Sequence, residues 1–342
     1  MERHYFAGGN TMDGFTDLYS SVIDRKACKR LYIIKGGSGV GKSTLIKRVA
    51  KELKGHVSCI EFFHCSADIN SLDGVAFPEL NIALVDGTAP HVVEPVFVKA
   101  SDVNVDLSKY IDGRKLEGKK AELVSIIENK KLCYSRAYTL VKSMGYLYKD
   151  AYEAISDDLN VNGIVDELSD KVLTHGKGKV RRLFAGAYTA FGEVYLDENL
   201  DKIKVVRLNG NKCISARILS LLFTKLKDGN HDLAVFCSPI STDYIYGLEV
   251  DGKVLFTVND RIVSKEMQEY DVDEKFTLSV DVKSYTDTLN THIASLLSTV
   301  SDCLTKAKSY HDKLESVYKP CVDFKKIDKE TDKLISEIKS LI

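Results

Sequence analysis

The sequence shows no excess of charge, no long apolar run and no paired cysteines, and each absence narrows its role. Lysine and arginine number 48 against 49 acidic residues, a net charge of −1. No global field therefore favours nucleic acid or an anionic membrane, although a local basic patch is still allowed. No apolar run approaches the roughly 18 residues of a membrane span, so no membrane association is expected. The opening residues, Met1-Glu2-Arg3-His4-Tyr5-Phe6, lack the apolar segment of a secretory leader. The eight cysteines are scattered and form no C-x-x-C pair, which argues against a structural zinc site. They are expected to be free thiols in a reducing cytoplasm. The remaining composition is ordinary, with 44% hydrophobic and 28% charged residues over 342 positions. That suits a packed core and about two domains.

One stretch stands out against this background. Gly36, Gly37, Ser38, Gly39, Val40, Gly41, Lys42 and Ser43, with Thr44 following, fit the phosphate-binding pattern G-x-x-x-x-G-K-[ST]. Leu31-Tyr32-Ile33-Ile34 before it is a short apolar, β-prone run, as a buried parallel strand would be. Thr44 to Leu53 after it places Leu45, Ile46, Val49 and Leu53 on one helical side. The order strand, glycine loop, helix is what phosphate binding needs. Glycines let backbone N–H groups turn inward, and the helix N-terminus adds partial positive charge. Lys42 is expected on the β- and γ-phosphates of a nucleotide, and the Ser43 hydroxyl on Mg²⁺. No N-K-x-D guanine motif occurs, nor any positive adenine signature, so ATP and GTP both stay open.

Further candidates lie downstream. Asp86 closes the apolar strand Ile82 to Val85 and precedes Gly87-Thr88, the shape of a Walker B segment whose Asp helps hold Mg²⁺. An ordinary strand-to-turn Asp has the same look. No Glu follows Asp86, so a general base must come from elsewhere or hydrolysis is slow. His64-Cys65-Ser66-Ala67-Asp68 follows the strand Val57 to Phe63, and Asp73 lies close in sequence. Ligands of open parallel sheets gather at the carboxyl ends of strands. Asp68, Asp73 or His64 is therefore expected to orient water or an acceptor hydroxyl, with loop capping as the plainer alternative. His91 is the weakest of these candidates.

The chain also repeats itself. Phe6, Ala7, Gly8, Thr11 and Gly14 recur at one constant offset as Phe184, Ala185, Gly186, Thr189 and Gly192. At a similar offset, the strand Leu31–Ile34 falls on Ile203–Val206, and Cys65-Ser66 falls on Cys237-Ser238. Two heptad seams follow: Leu289, Ile293, Leu296, Val300, Cys303, Ala307, Tyr310, Leu314 and Val317 in one, and Leu123, Ile126, Cys133, Ala137, Leu140, Met144, Leu147, Ala151 and Ala154 in the other. Only Lys130 interrupts the latter. The reading is an α/β protein with a P-loop NTPase-type parallel sheet, duplicated in tandem. Each half carries a long helical hairpin. The first half is 1–173 with hairpin 107–173, and the second is 180–342 with hairpin 284–342. The glycine-lysine stretch 174–179 is the joint. The second half loses the loop, because Leu208, Cys213 and Ile214 stand where Gly36, Gly41 and Lys42 would map. It is therefore expected to be a pseudo-subunit. Arg3, Arg181, Arg182, Arg207 and Arg217 are candidates for an arginine finger on the γ-phosphate. The hairpin lysines are mixed with acids, so nucleic acid is not expected as a partner, whereas packing between hairpins or a protein partner is.

These residues resemble bacterial tandem P-loop proteins, described as ATPases or nucleotide-binding proteins of unassigned role and mostly found in Gram-positive anaerobes. The resemblance rests on Arg3-His4-Tyr5-Phe6-Ala7-Gly8, the stretch from Lys35 to Thr44, His64-Cys65-Ser66-Ala67-Asp68 with Ser71-Leu72-Asp73-Gly74, and Pro78 to His91. It implies nucleotide binding by a P-loop but no particular substrate. Family members often keep a P-loop in both halves, and this chain departs from that at Leu208, Cys213 and Ile214. The expected function is Mg-dependent ATP binding and hydrolysis in the first half, coupled to movement or to a partner. Lys42 and Asp68 or Asp73 would carry the catalysis, and Ser43 and Asp86 the metal. The alternatives are a small-molecule kinase and an ATP-sensing interaction protein that hydrolyses little.

Overall fold

The computed structural model describes residues 1–196 and 198–342. The chain is α/β and forms two compact units. The first comprises Met1–Gly8, Asp17–Arg136 and Asp302–Ile342, and the second Gly9–Thr16 and Ala137–Ser301. No helix among the described residues is long and apolar enough to cross a membrane.

The chain opens with strand β1 (Glu2–Phe6) and a short hairpin, β2 (Gly8–Thr11) and β3 (Gly14–Asp17). Then come β4 (Arg30–Lys35), helix α1 (Lys42–Leu53), β5 (Ile60–His64), β6 (Leu72–Phe77), β7 (Ile82–Asp86) and β8 (Asp102–Asp106). In the first unit the strand order is β1-β5-β6-β7-β4-β8. The pairs β1/β5, β4/β7 and β4/β8 are parallel, as expected. β6, however, runs antiparallel to both neighbours, so the sheet is mixed and the expectation of a parallel sheet needs correction. The reason is loop length. Only Pro78–Leu80 and the left-handed Asn81 (φ 53) join β6 to β7. A parallel connection needs a dozen residues or more.

β4 lies inside this sheet and is apolar throughout its centre. Leu31, Tyr32, Ile33 and Ile34 are all buried, as in a strand covered on both faces. α1 turns Leu45, Ile46, Val49, Ala50 and Leu53 onto the sheet.

One helix of 39 residues follows the sheet strands of each half, α2 (Lys120–Asp158) and later α6 (Val280–Tyr318). Each is succeeded by a shorter helix, α3 (Asn162–Ser169) and α7 (Phe324–Ser340). α7 packs beside α1 and places Ile327, Leu334, Ile335 and Ile338 in the first unit's core. Its polar side is tied by Arg48 to Asp328 and Asp332, and by Lys339 to Glu52. Within the same unit, Ile126 of α2 meets Leu314 and Val317 of α6. The compact units thus do not follow the sequence halves 1–173 and 180–342, because the last helix of the chain completes the core that contains β4. The two long helices also differ from the seam alignment. Setting Cys133 on Cys303 would carry Lys120 to residue 290, whereas α6 begins at Val280.

The second unit holds β9 (Val180–Phe184), β10 (Gly186–Thr189), β11 (Gly192–Tyr195), β12 (Glu198–Asn199), β13 (Lys204–Asn209) and α4 (Lys212–Asp228). It continues with β14 (Leu233–Cys237), β15 (Ile245–Val250), β16 (Val254–Thr257), β17 (Ile262–Val263), β18 (Met267–Asp271) and the short helix α5 (Val272–Lys275). Its strand order is β9-β14-β15-β16-β13-β18. Directions repeat those of the first unit, with β15 antiparallel to β14 and β16. The pairs β9/β14, β13/β16 and β13/β18 are parallel. α3 packs on α4, burying Ile164, Val165 and Leu168.

Candidate functional site

The glycine loop runs from the end of β4 to the start of α1. Gly39 (φ 74) and Gly41 (φ 88) both have the left-handed backbone that side chains disfavour. Gly39 also lies against α6, where a Cβ would sit 3.2 Å from Glu315 Cα. Val40 is buried and anchors the loop, Ser38 is half-buried, and Thr44 is exposed. Gly41 is the N-cap of α1, and no side chain caps that helix. The Lys42 ammonium donates to the carbonyls of Gly36 (3.1 Å) and Gly37 (2.9 Å) and lies 3.5 Å from Asp86 Oδ2. The Ser43 hydroxyl accepts from the Leu72 amide at 2.9 Å, which ties the start of α1 to β6.

The sheet brings two of the acidic candidates, Asp73 and Asp86, together. Asp86 ends β7, and its register partner is Ile34 on parallel β4. Its Oδ1 accepts from the amide (2.9 Å) and hydroxyl (2.6 Å) of Thr88. Asp73 lies on the adjacent strand β6. Asp73, Asp86 and His91 each offer a ligand atom within 4.8 Å of the others, and all three are buried. Asp68 lies outside this cluster in the β5–β6 loop, where its carboxylate accepts from the Asn70 amide at 3.2 Å.

The histidines separate in the same way. His64 is turned toward β1. Its Nδ1 donates to the Ile69 carbonyl at 2.7 Å, leaving Nε2 to accept from His4 Nδ1 at 2.9 Å. Burial lowers its pKa to about 4, which keeps it neutral. His91, by contrast, belongs to the site. Its Nδ1 donates to the Asp86 carbonyl at 3.0 Å. Nε2 faces Asp73 Oδ2 at 3.6 Å.

Burial raises the Asp73 pKa to about 6, reinforced by the Asp86 charge and opposed by His91. Tyr19 stacks on His91 with ring centroids 4.9 Å apart, and burial with the Asp73 charge pushes its phenol well up. Burial and then Asp73 also raise the Cys65 thiol well above its usual range, which disfavours its thiolate. The carboxylates Asp73 and Asp86 are hard oxygen donors, which suit a cation such as Mg²⁺ better than the single imidazole of His91 suits a softer metal.

Three contributors to this neighbourhood carry little signal in the sequence. Tyr19 and His91 are brought to Asp73 by tertiary packing alone. The third is Lys130, half-buried on α2, whose electrostatic neighbours include Cys65 and Lys42.

In the second unit the equivalent position is occupied by the chain's own groups. Asn211 caps α4, its Oδ1 accepting from the amides of Cys213 (2.9 Å) and Ile214 (3.3 Å). The Asn211 amide itself donates to Asp273 Oδ1 at 3.1 Å. The Lys212 ammonium donates to Glu193 Oε2 at 2.8 Å and lies over the rings of Tyr195 and Tyr246. The donors that a phosphate would use are satisfied by side chains. Among the arginines, Arg182 donates to the Thr242 carbonyl at 2.9 Å, and Arg207 pairs with Glu269 at 2.6 Å.

No protein-family model, curated protein or solved structure matches this chain.

Proposed function

We propose that the chain is a P-loop NTPase of duplicated architecture that binds Mg²⁺ and a nucleoside triphosphate, with ATP the first candidate, at residues 36–44. The observation that carries this reading is the convergence at the start of α1. A helix without a side-chain cap begins at a loop of left-handed glycines, and its first residue, Lys42, reaches the strand-end carboxylate Asp86. Uncapped amides, a helix N-terminus and a lysine together make an anion site. The contrast with α4, whose first amides are taken by Asn211, supports one working site and one pseudo-site. The repeated strand order supports the duplication.

Ser43 and Asp86 would hold Mg²⁺, which neutralises phosphate charge when bound. Lys42 would leave the Gly36 and Gly37 carbonyls for the phosphates. Asp73 is the preferred base over Asp68, because it is buried beside Asp86 while Asp68 is bonded within its own loop. Its carboxylate would take the proton of a water or acceptor hydroxyl as that oxygen attacks the terminal phosphorus and the diphosphate leaves. A base with a pKa near 6 suits an alcohol acceptor as well as water, so the kinase reading stands second.

The test is Mg-dependent phosphate release from ATP and GTP, together with nucleotide affinity, for the wild type and Lys42→Ala. Turnover by the wild type that disappears in Lys42→Ala supports the NTPase. Binding without release points to a missing acceptor or to a nucleotide sensor. Absence of binding with Mg²⁺ present refutes the reading.

A further inference from the structure

Lys130 occupies a position where the helix is otherwise apolar. Its neighbours on the same face of α2 are Ile126 (i−4), Cys133 (i+3) and Ala137 (i+7), all buried. Ile126 packs against Leu314 and Val317 of α6, and the neighbouring Glu315 of α6 touches Gly39 of the loop. An apolar residue would therefore suit the seam at 130.

A lysine there is costly unless its ammonium meets an anion. Among the described residues it has no hydrogen bond and no ion pair. Elsewhere in this unit, long cationic side chains find carboxylates: Lys35 has Glu94, Lys109 has Glu330 and Lys339 has Glu52. Lys130 has instead a second cation, Lys42, and the thiol of Cys65 as electrostatic neighbours. Burial lowers its pKa first, and Lys42 lowers it further. Cys65 in turn lies beside Asp73, the carboxylate next to Asp86. Lys130 thus stands one turn beyond Ile126, on the α2 face that meets α6 where α6 borders the loop, with Lys42 as an electrostatic neighbour. Two ammonium groups near one point repel each other, and a polyphosphate relieves both.

We propose that Lys130 is a phosphate-binding residue supplied in cis by α2, directed at the terminal phosphate of the bound nucleoside triphosphate. This rests on the nucleotide reading above. Lys42 grips the phosphate chain from the loop, and Lys130 meets its end from α2. The pair distinguishes triphosphate from diphosphate, because only the triphosphate extends to Lys130. The seam break in α2 is then the feature by which the helix senses the nucleotide state.

The test compares Mg-ATP and Mg-ADP affinity by calorimetry for wild type, Lys42→Ala, Lys130→Met and Lys130→Arg. A charge-assisted hydrogen bond lost from one state only corresponds to about tenfold or more in affinity. Lys130→Met is expected to weaken Mg-ATP by about that factor while leaving Mg-ADP within about twofold. Lys130→Arg is expected to keep most of the ATP preference. The Met side chain fills an apolar seam, so its melting temperature should match or exceed that of the wild type, which a merely structural lysine would not give together with lost ATP preference. If Lys130→Met does not fold, Lys130→Gln makes the same comparison. A wild-type ATP-to-ADP ratio in the folded Lys130 variants, with binding lost in Lys42→Ala, overturns this inference and leaves the nucleotide site standing. Failure of the wild type to bind either nucleotide overturns both.

Discussion

Replacing Asp73 by Asn should make the protein more stable and less active at once, and the pH dependence of the stability gain is fixed in advance. The carboxyl pKa rises from 3.8 to about 6 on folding, chiefly through burial. That difference, roughly two pH units at about 1.36 kcal/mol each, corresponds to about 3 kcal/mol. The sign follows from linkage. A group whose pKa is raised in the folded state adds stability only while protonated. That contribution is complete below the unfolded value and is lost as pH rises through the folded value. Above pH 7 the wild type holds an ionised Asp73 in a buried site against the cost of desolvation. Asn removes that cost while keeping the shape. The stability difference between Asp73→Asn and wild type should therefore be small at pH 4, grow between pH 4 and 6, and level off above pH 7 at up to about 3 kcal/mol. Urea denaturation midpoints across that range measure it. In parallel, phosphate release should fall by two orders of magnitude or so, as expected for loss of a general base, while nucleotide affinity is largely kept. A difference that does not change with pH, or a mutant less stable than wild type at pH 8, would refute the assignment of Asp73 as a carboxylate held ionised against burial.

Two further perturbations probe the scaffold. Ile338→Ala removes a fully buried side chain of α7 from the core it shares with α1. It should cost about 2–5 kcal/mol and lower nucleotide affinity through the loosened start of α1, read by denaturation and nucleotide titration together. Lys212→Met should leave nucleotide binding at the first-unit loop unchanged in calorimetry, because Lys212 is committed to Glu193 at 2.8 Å. It should still destabilise the second unit by up to about 1 kcal/mol, since Glu193 loses its cation and keeps only the Tyr195 hydroxyl.

The parts of the site that a sequence can display are those written in consecutive residues. The glycine loop, its apolar strand and the amphipathic α1 are local patterns, and each appears where the pattern puts it. Asp86 is legible for the same reason, as the last residue of an apolar strand. β6 is not, because Leu72-Asp73-Gly74 carries turn-forming residues inside what proves to be a central strand. Asp73 belongs there because its carboxyl is tuned by burial, and that tuning depends on neighbours from Tyr19 and His91. α7 shows the opposite failure. Its apolar stripe, Ile327, Leu334, Ile335 and Ile338, states that some surface covers it, but a stripe has no address. Only the fold shows that the surface is α1, beside the loop. Lys130 lies between these cases. The seam break is visible in the sequence as a polar residue where a packed helix needs an apolar one, but periodicity gives only its face, and Glu122, Lys131 and other charges on α2 lie on solvated faces nearby. What distinguishes Lys130 is physical: a half-buried cation without a carboxylate, and with a second cation as its electrostatic neighbour, is unfavourable on its own account, and an anion shared by the two is the simplest arrangement that makes it favourable.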